Sequence, residues 1–188
     1  INQSFRQLDK QNGNQQFSVS TTNEVKAITV DKGGNVYVGP DTNKIEKYDN
    51  NGSLVWTFSS MNDNAIFLTY SQGHVYAITE VGAVRKVNAN DGTEDWGFST
   101  SNPKSIAVDN QQNVYVLGKS RIEKFDSTPT LVWRQSNNLD NNQDIDVTKK
   151  QEVIASVNDS DIARFDKDGN FVTVIRNEGK RVRTLDVL

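Results

Sequence analysis

Cysteine is absent from the 188 residues. That excludes a disulfide framework, a thiolate metal site and a cysteine nucleophile. Histidine occurs once, as His74. No apolar run approaches the roughly 20 residues of a membrane-spanning helix. Basic charge is short as well: the net charge is −3, and a protein that grips nucleic acid through its phosphates needs a basic face. Only 35% of the residues are hydrophobic. Asn, Gln, Ser and Thr fill the shortfall, while the 24% of charged residues is ordinary and speaks against disorder. The length allows one sizeable core, and residues 1–188 are read as a single domain. The start, Ile1-Asn2-Gln3-Ser4-Phe5, is polar and lacks Met. It reads as a processed chain or a piece of a longer one.

What the chain has in plenty is repetition. Val36, Val75, Val114 and Val153 are 39 residues apart each time (75−36, 114−75, 153−114). The flanking text recurs as Asn35-Val36-Tyr37-Val38, His74-Val75-Tyr76-Ala77, Asn113-Val114-Tyr115-Val116 and Glu152-Val153-Ile154-Ala155. Each unit holds four short stretches rich in β-branched and aromatic residues. In the first full unit they are 25–31, 35–39, 44–49 and 54–58, strands a to d from inside to outside. In the fourth unit they are 143–148, 152–157, 161–166 and 171–175. A strand-rich repeat of this period predicts an all-β fold, a β-propeller of about five four-stranded blades. No segment sustains a helical period, so little or no helix is expected.

The connections have turn chemistry. Asp49-Asn50-Asn51-Gly52, Asn88-Ala89-Asn90-Asp91-Gly92 and Asp166-Lys167-Asp168-Gly169-Asn170 join c to d, with glycines able to take the positive φ of tight hairpins. Strand c itself is apolar on both faces, as in Ile45-Glu46-Lys47-Tyr48, which suits a blade with a neighbour on each side. At the N-terminal end 4–9 matches strand c and 15–20 strand d; at the C-terminal end 181–186 matches strand a. The fifth blade is therefore expected to be shared between the termini or incomplete.

These residues resemble two related propeller repeats. Pro103–Asp109, Asn113–Val116 and Arg121–Asp126 look like an NHL repeat. Lys86–Trp96, an acidic or Asn turn with Gly before a Trp, looks like the end of a PQQ-like repeat, and Trp56 and Trp133 sit at matching places. The resemblance implies the fold; such repeats serve enzymes, scaffolds and binding modules alike.

Several residues invite a functional reading. His74 occupies a repeat position that elsewhere holds Asn35, Asn113 and Glu152, and reads as a turn-flanking residue. Asp166-Lys167-Asp168-Gly169 imitates a calcium loop, but the sixth and twelfth positions are Phe171 and Asn177, so it reads as a hairpin turn. Lys47, Lys86, Lys124 and Arg164 form a column that pairs within or between blades. Trp56, Trp96 and Trp133 recur at one place on the outer strand and are read as seam packing. No catalytic residue, metal ligand or cofactor is assigned. Recognition is placed on the least repeat-like loops, b to c and d to the next a, which share one face. The candidate partner-binding residues there are Asp41, Asn43, Asn62, Asp63, Asn102, Asn138 and Asp140.

The expected function is that of a non-catalytic binding or scaffold module with a protein partner or parent assembly, extracellular, on a cell surface or in a virion such as a phage tail or fibre. No nucleic acid and no membrane span are expected. Two alternatives are a propeller lyase or hydrolase with a metal or small-ligand site on the loop face, and a carbohydrate-binding propeller that uses exposed Trp faces.

Overall fold

A computed structural model describes residues 3–9, 11–21, 23–136, 143–157, 160–176 and 185. Among them there is no helix, and the strands form five antiparallel sheets. The first sheet has two strands, β1 (Gln3–Leu8) and β2 (Gln15–Thr21). The second holds β3 (Val25–Val30), β4 (Val36–Pro40), β5 (Ile45–Tyr48) and β6 (Leu54–Phe58). The third holds β7 (Ala65–Ser71), β8 (His74–Thr79), β9 (Ala83–Asn88) and β10 (Glu94–Ser99). The fourth holds β11 (Pro103–Val108), β12 (Val114–Gly118), β13 (Arg121–Phe125) and β14 (Leu131–Ser136). The fifth holds β15 (Ile145–Val147), β16 (Val153–Val157), β17 (Asp161–Phe165) and β18 (Phe171–Ile175). Within each sheet the strands follow chain order. The inner strands β3, β7, β11 and β15 lie side by side in sequence. The sheets thus radiate about an axis as a β-propeller, with a half-blade followed by blades one to four.

The core is not one interior but a set of seams. Separate apolar clusters join the half-blade to blade one, one to two, two to three, and three to four. A middle strand therefore needs apolar side chains on both faces, and β4 and β12 are buried along their whole length. The outer strands face water. Leu54, Val55, Leu131, Val132, Phe171 and Val172 are exposed there, while β10 carries Glu94 and Asp95 at its start.

Each seam uses the same parts. Tyr37, Lys47 and Trp56 stand in one cross-strand row; so do Tyr76, Lys86 and Trp96, and Tyr115, Lys124 and Trp133. The lysines are buried, with their ammonium groups 5.6, 5.9 and 5.2 Å from the centres of the tyrosine rings. Each ammonium donates into the next blade: Lys47 to the Ala89 carbonyl at 2.8 Å, Lys86 to Gln112 Oε1 at 2.8 Å, Lys124 to Gln151 Oε1 at 3.3 Å. Each indole N–H does the same, to the carbonyls of Ala89, Ser127 and Lys167 at 3.2, 3.1 and 3.1 Å. Two of these rings lie on turn glycines. A Cβ on Gly92 or Gly169 would come within 2.8 Å of Trp56 or Trp133. The fourth row is different, Ile154, Arg164 and Thr173, and Arg164 bonds Glu152 of its own blade at 2.5 Å.

The turns follow the sequence closely. Asp49, Asp126 and Asp166 each accept two backbone N–H bonds from their own c–d turn. The Asp166 segment is thus a hairpin turn. Between a and b, Asp31 and Asp109 each accept two backbone bonds, an Asn side chain and a tyrosine hydroxyl, that of Tyr37 or Tyr115. Burial pushes the Asp31 carboxyl up, but the donors from Asn35, Tyr37 and Gly33 outweigh it and hold it below the usual range. Blade two has Tyr70 in the aspartate's place, and the buried Tyr76 hydroxyl has no hydrogen-bond partner among the described residues. Tyr115→Phe is therefore expected to cost about 1 kcal/mol, whereas Tyr76→Phe leaves stability unchanged or raises it by up to about 1 kcal/mol. Urea denaturation of the pair checks this; equal losses would contradict it.

Strand a of blade four is shorter than the sequence predicts, three residues instead of 143–148. Polar diversion is the reason. The amides of Gln143 and Asp144 turn to Ser156 Oγ. The buried Asp144 carboxylate takes Ser105 Oγ at 2.6 Å and the Leu185 amide at 2.8 Å. Leu185 is the one described residue of 181–186, so that expected strand lies outside the described residues.

Candidate functional site

The loops from b to c and from d to the next a gather on one face. Two hydrogen bonds lock the first pair together: the Asn43 amide donates to Asn64 Oδ1 at 2.9 Å, and Asn64 Nδ2 donates to Asp41 Oδ1. Met61, 6% exposed, anchors the d–a loop in the seam below. In blade two the Thr100 amide donates to the Gly82 carbonyl at 2.8 Å, tying its two loops together. From blade three, Arg121 Nη2 reaches across to donate to Thr100 Oγ1 and the Ser101 carbonyl, both at 3.0 Å. The loops are variable in sequence yet held to one another.

Arg121 also stands 3.1 Å from Glu123, a residue that is 1% exposed. Arg134 closes on the same carboxylate at 2.6 Å, and the Thr100 hydroxyl donates to it. Burial pushes the Glu123 carboxyl up. The bonds from Thr100, Arg134 and Arg121 outweigh burial and leave it below the usual glutamate range.

Of the sequence candidates, Asp41, Asn43, Asn62 and Asn102 are exposed and Asp63 half-buried. Asp41 and Asp63 come together in a cleft of about 300 Å³ that also takes in Lys26, Asn64, Ile66 and Glu80. Asn43 joins this group through Asn64. Asn102, in a left-handed backbone conformation (φ 49°), belongs to the following seam. Asn138 and Asp140 lie outside the described residues. Lys26 and Glu80 escape a reading by loops. Lys26 is on inner strand β3, whose alternate residues Lys26, Ile28 and Val30 are exposed. The hydrogen bond that it donates to the Glu24 carboxylate at 2.7 Å raises its ammonium above the usual range.

The single histidine stands at the opposite end of the blades. His74 begins β8 beside the a–b turn, with Nδ1 3.0 Å from the Gln72 carbonyl and Nε2 3.0 Å from Asp95. It is therefore remote from the loop cluster. Among the described residues no three His, Asp or Glu side chains converge as metal ligands, and no helix is long and apolar enough to cross a membrane.

The family model of the outer membrane protein assembly factor BamB matches residues 2–106, more than half of the chain. The chain belongs to this family. Among solved structures, the crystal structure of BamB from Moraxella catarrhalis is similar, with a TM-score of 0.72 at 20% identity. The match covers 90% of this chain and 55% of that one, so the chain spans about half the length of that relative. At this identity the likeness shows the fold. No curated protein sequence matches the chain. Lys86–Trp96, the stretch that resembles a PQQ-like repeat, lies within the matched residues. The three tryptophans are seam residues, half-buried, each with its N–H bonded to the next blade.

Proposed function

We propose that residues 1–188 act as one propeller module that binds a protein partner through its loop face and does no chemistry of its own. The observation that carries this reading is the cross-locked loop cluster of Asp41, Asn43, Asn64 and the Thr100–Gly82 contact, a surface of variable side chains on a rigid frame. The family's name, an outer membrane protein assembly factor, supports a place in a multiprotein assembly of the bacterial envelope. That is a narrower location than the extracellular, surface or virion settings expected above, and the Asn- and Gln-rich composition alone speaks for a virion.

The test is site-specific photocrosslinking in the producing cell. Crosslinkers at Asn43, Asn62 and Asn102 are expected to give discrete protein adducts. The same group at Asn12, Asn51 and Asn90, in the c–d turns of the opposite face, is expected to give none. Adducts confined to the turn positions, or absent from both sets, would overturn the proposal.

A further inference from the structure

The seam between the half-blade and blade one lacks the filling of the three that follow. Where they have a lysine and a tryptophan, it has Gln7 and Phe17, paired across β1 and β2 in the same register. The a–b turn opposite is reduced too. Positions 34, 73, 112 and 151 are one period apart and all left-handed, with φ of 82°, 81°, 63° and 63°. They hold Gly34, Gly73, Gln112 and Gln151, and the two glutamines receive the lysines of the preceding blades. The first seam alone combines the shorter amide, the smaller aromatic ring and a turn glycine.

These reductions leave a cleft of about 470 Å³, lined by Gln7, Gln16, Phe17, Gly34, Asn50 and Asn51 together with the neighbouring glycine. Its volume lies in the small-molecule range of roughly 300–1,000 Å³. No charged side chain among the described residues lines it, so an ionic ligand would leave water without a counter-ion. Four carboxamides offer donors and acceptors side by side, the match for hydroxyl groups that both give and take hydrogen bonds. Gln7 Oε1 is buried without a partner among the described residues, an acceptor placed for a ligand hydroxyl. Phe17 supplies an apolar wall.

We propose that this notch binds a neutral, hydroxyl-rich small ligand of the saccharide class. It opens among the turns, on the face opposite the loop cluster, so a sugar here and a protein partner there do not compete.

The test is a titration of the ¹⁵N-labelled chain with glucose and with N-acetylglucosamine, and with phosphate and arginine as charged controls. Saturable shifts are expected at Gln7, Phe17, Asn50 and Asn51 with at least one sugar and with neither control. The double variant Gln7→Lys, Gly34→Gln copies the Lys86–Gln112 pair already present in this fold. It is expected to stay folded with a modestly lower denaturation midpoint, because a left-handed glycine is replaced, and to weaken binding roughly tenfold or more. Gln16→Ala, at an exposed side chain, is expected to weaken it severalfold with the fold unchanged. No saturable response to either sugar, an equal response in both variants, or preference for a charged control would each overturn the assignment.

Discussion

Replacing Gly82 by alanine is expected to cost roughly 2–5 kcal/mol, the sum of an overpacking term and a left-handed backbone term. Gly82 has φ +100°, and a Cβ placed there would stand 1.9 Å from the Thr100 carbonyl oxygen. The obstruction is backbone on both sides. The Gly82 carbonyl accepts the Thr100 amide, and the Gly82 amide donates to the Thr79 carbonyl, so neither segment can back away without losing a hydrogen bond. Gly73 is the control. It has φ +81° and nothing within 4 Å of its missing Cβ, so Gly73→Ala is expected to cost only about 1–2 kcal/mol. The difference should appear as a lower urea midpoint at unchanged slope. Equal losses at the two glycines would show that close approach to Thr100 contributes nothing.

Glu123→Ala is the second large effect, about 2–4 kcal/mol. Removing one partner of a buried ion pair costs roughly 3–5 kcal/mol, and the figure is lowered because the Arg134 side chain is 51% exposed and can rehydrate. Glu123→Gln separates charge from shape. The folded carboxyl lies below the usual glutamate range, so its contribution is present in full above the unfolded value of about 4.3 and is lost as pH falls through the folded one. The gap between wild type and Glu123→Gln should be widest near neutrality and close in acid. Urea midpoints from neutral pH down to about pH 2.5 measure it. A gap independent of pH would mean that Glu123 acts through packing rather than charge.

Most of the fold was written in the period. A valine every 39 residues set the blades, and the Asn–Gly and Asp–Gly turns set where strands reverse; Gly52, Gly92 and Gly169 all have positive φ, as the hairpins require. The two-stranded first sheet was visible too, because 4–9 and 15–20 read as strands c and d. What stayed hidden was whatever depends on contacts between blades. Gln112 and Gln151 are left-handed because they stand at the a–b turn position that Gly34 and Gly73 hold in the earlier blades; that they receive lysines from the preceding blade is what the sequence does not show. Asp144 read as an ordinary strand residue, and two of its three acceptor bonds emerge only when Ser105 and Leu185 are beside it. The candidate site was half legible for the same reason. Loop position points to Asp41 and Asp63 but passes over Lys26, which reaches the same cleft from an inner strand.

The rim of the molecule has a consequence for handling it. On β6, β14 and β18 the last strand of a sheet shows water a pair of bulky aliphatic or aromatic side chains beside a row of backbone amides and carbonyls that no strand among the described residues pairs. Such margins are templates for stray pairing between molecules. Blade two, with two carboxylates at the same spot, shows how this sequence itself blunts that hazard, and charge swaps patterned after it are the rational route to a soluble, concentrated sample.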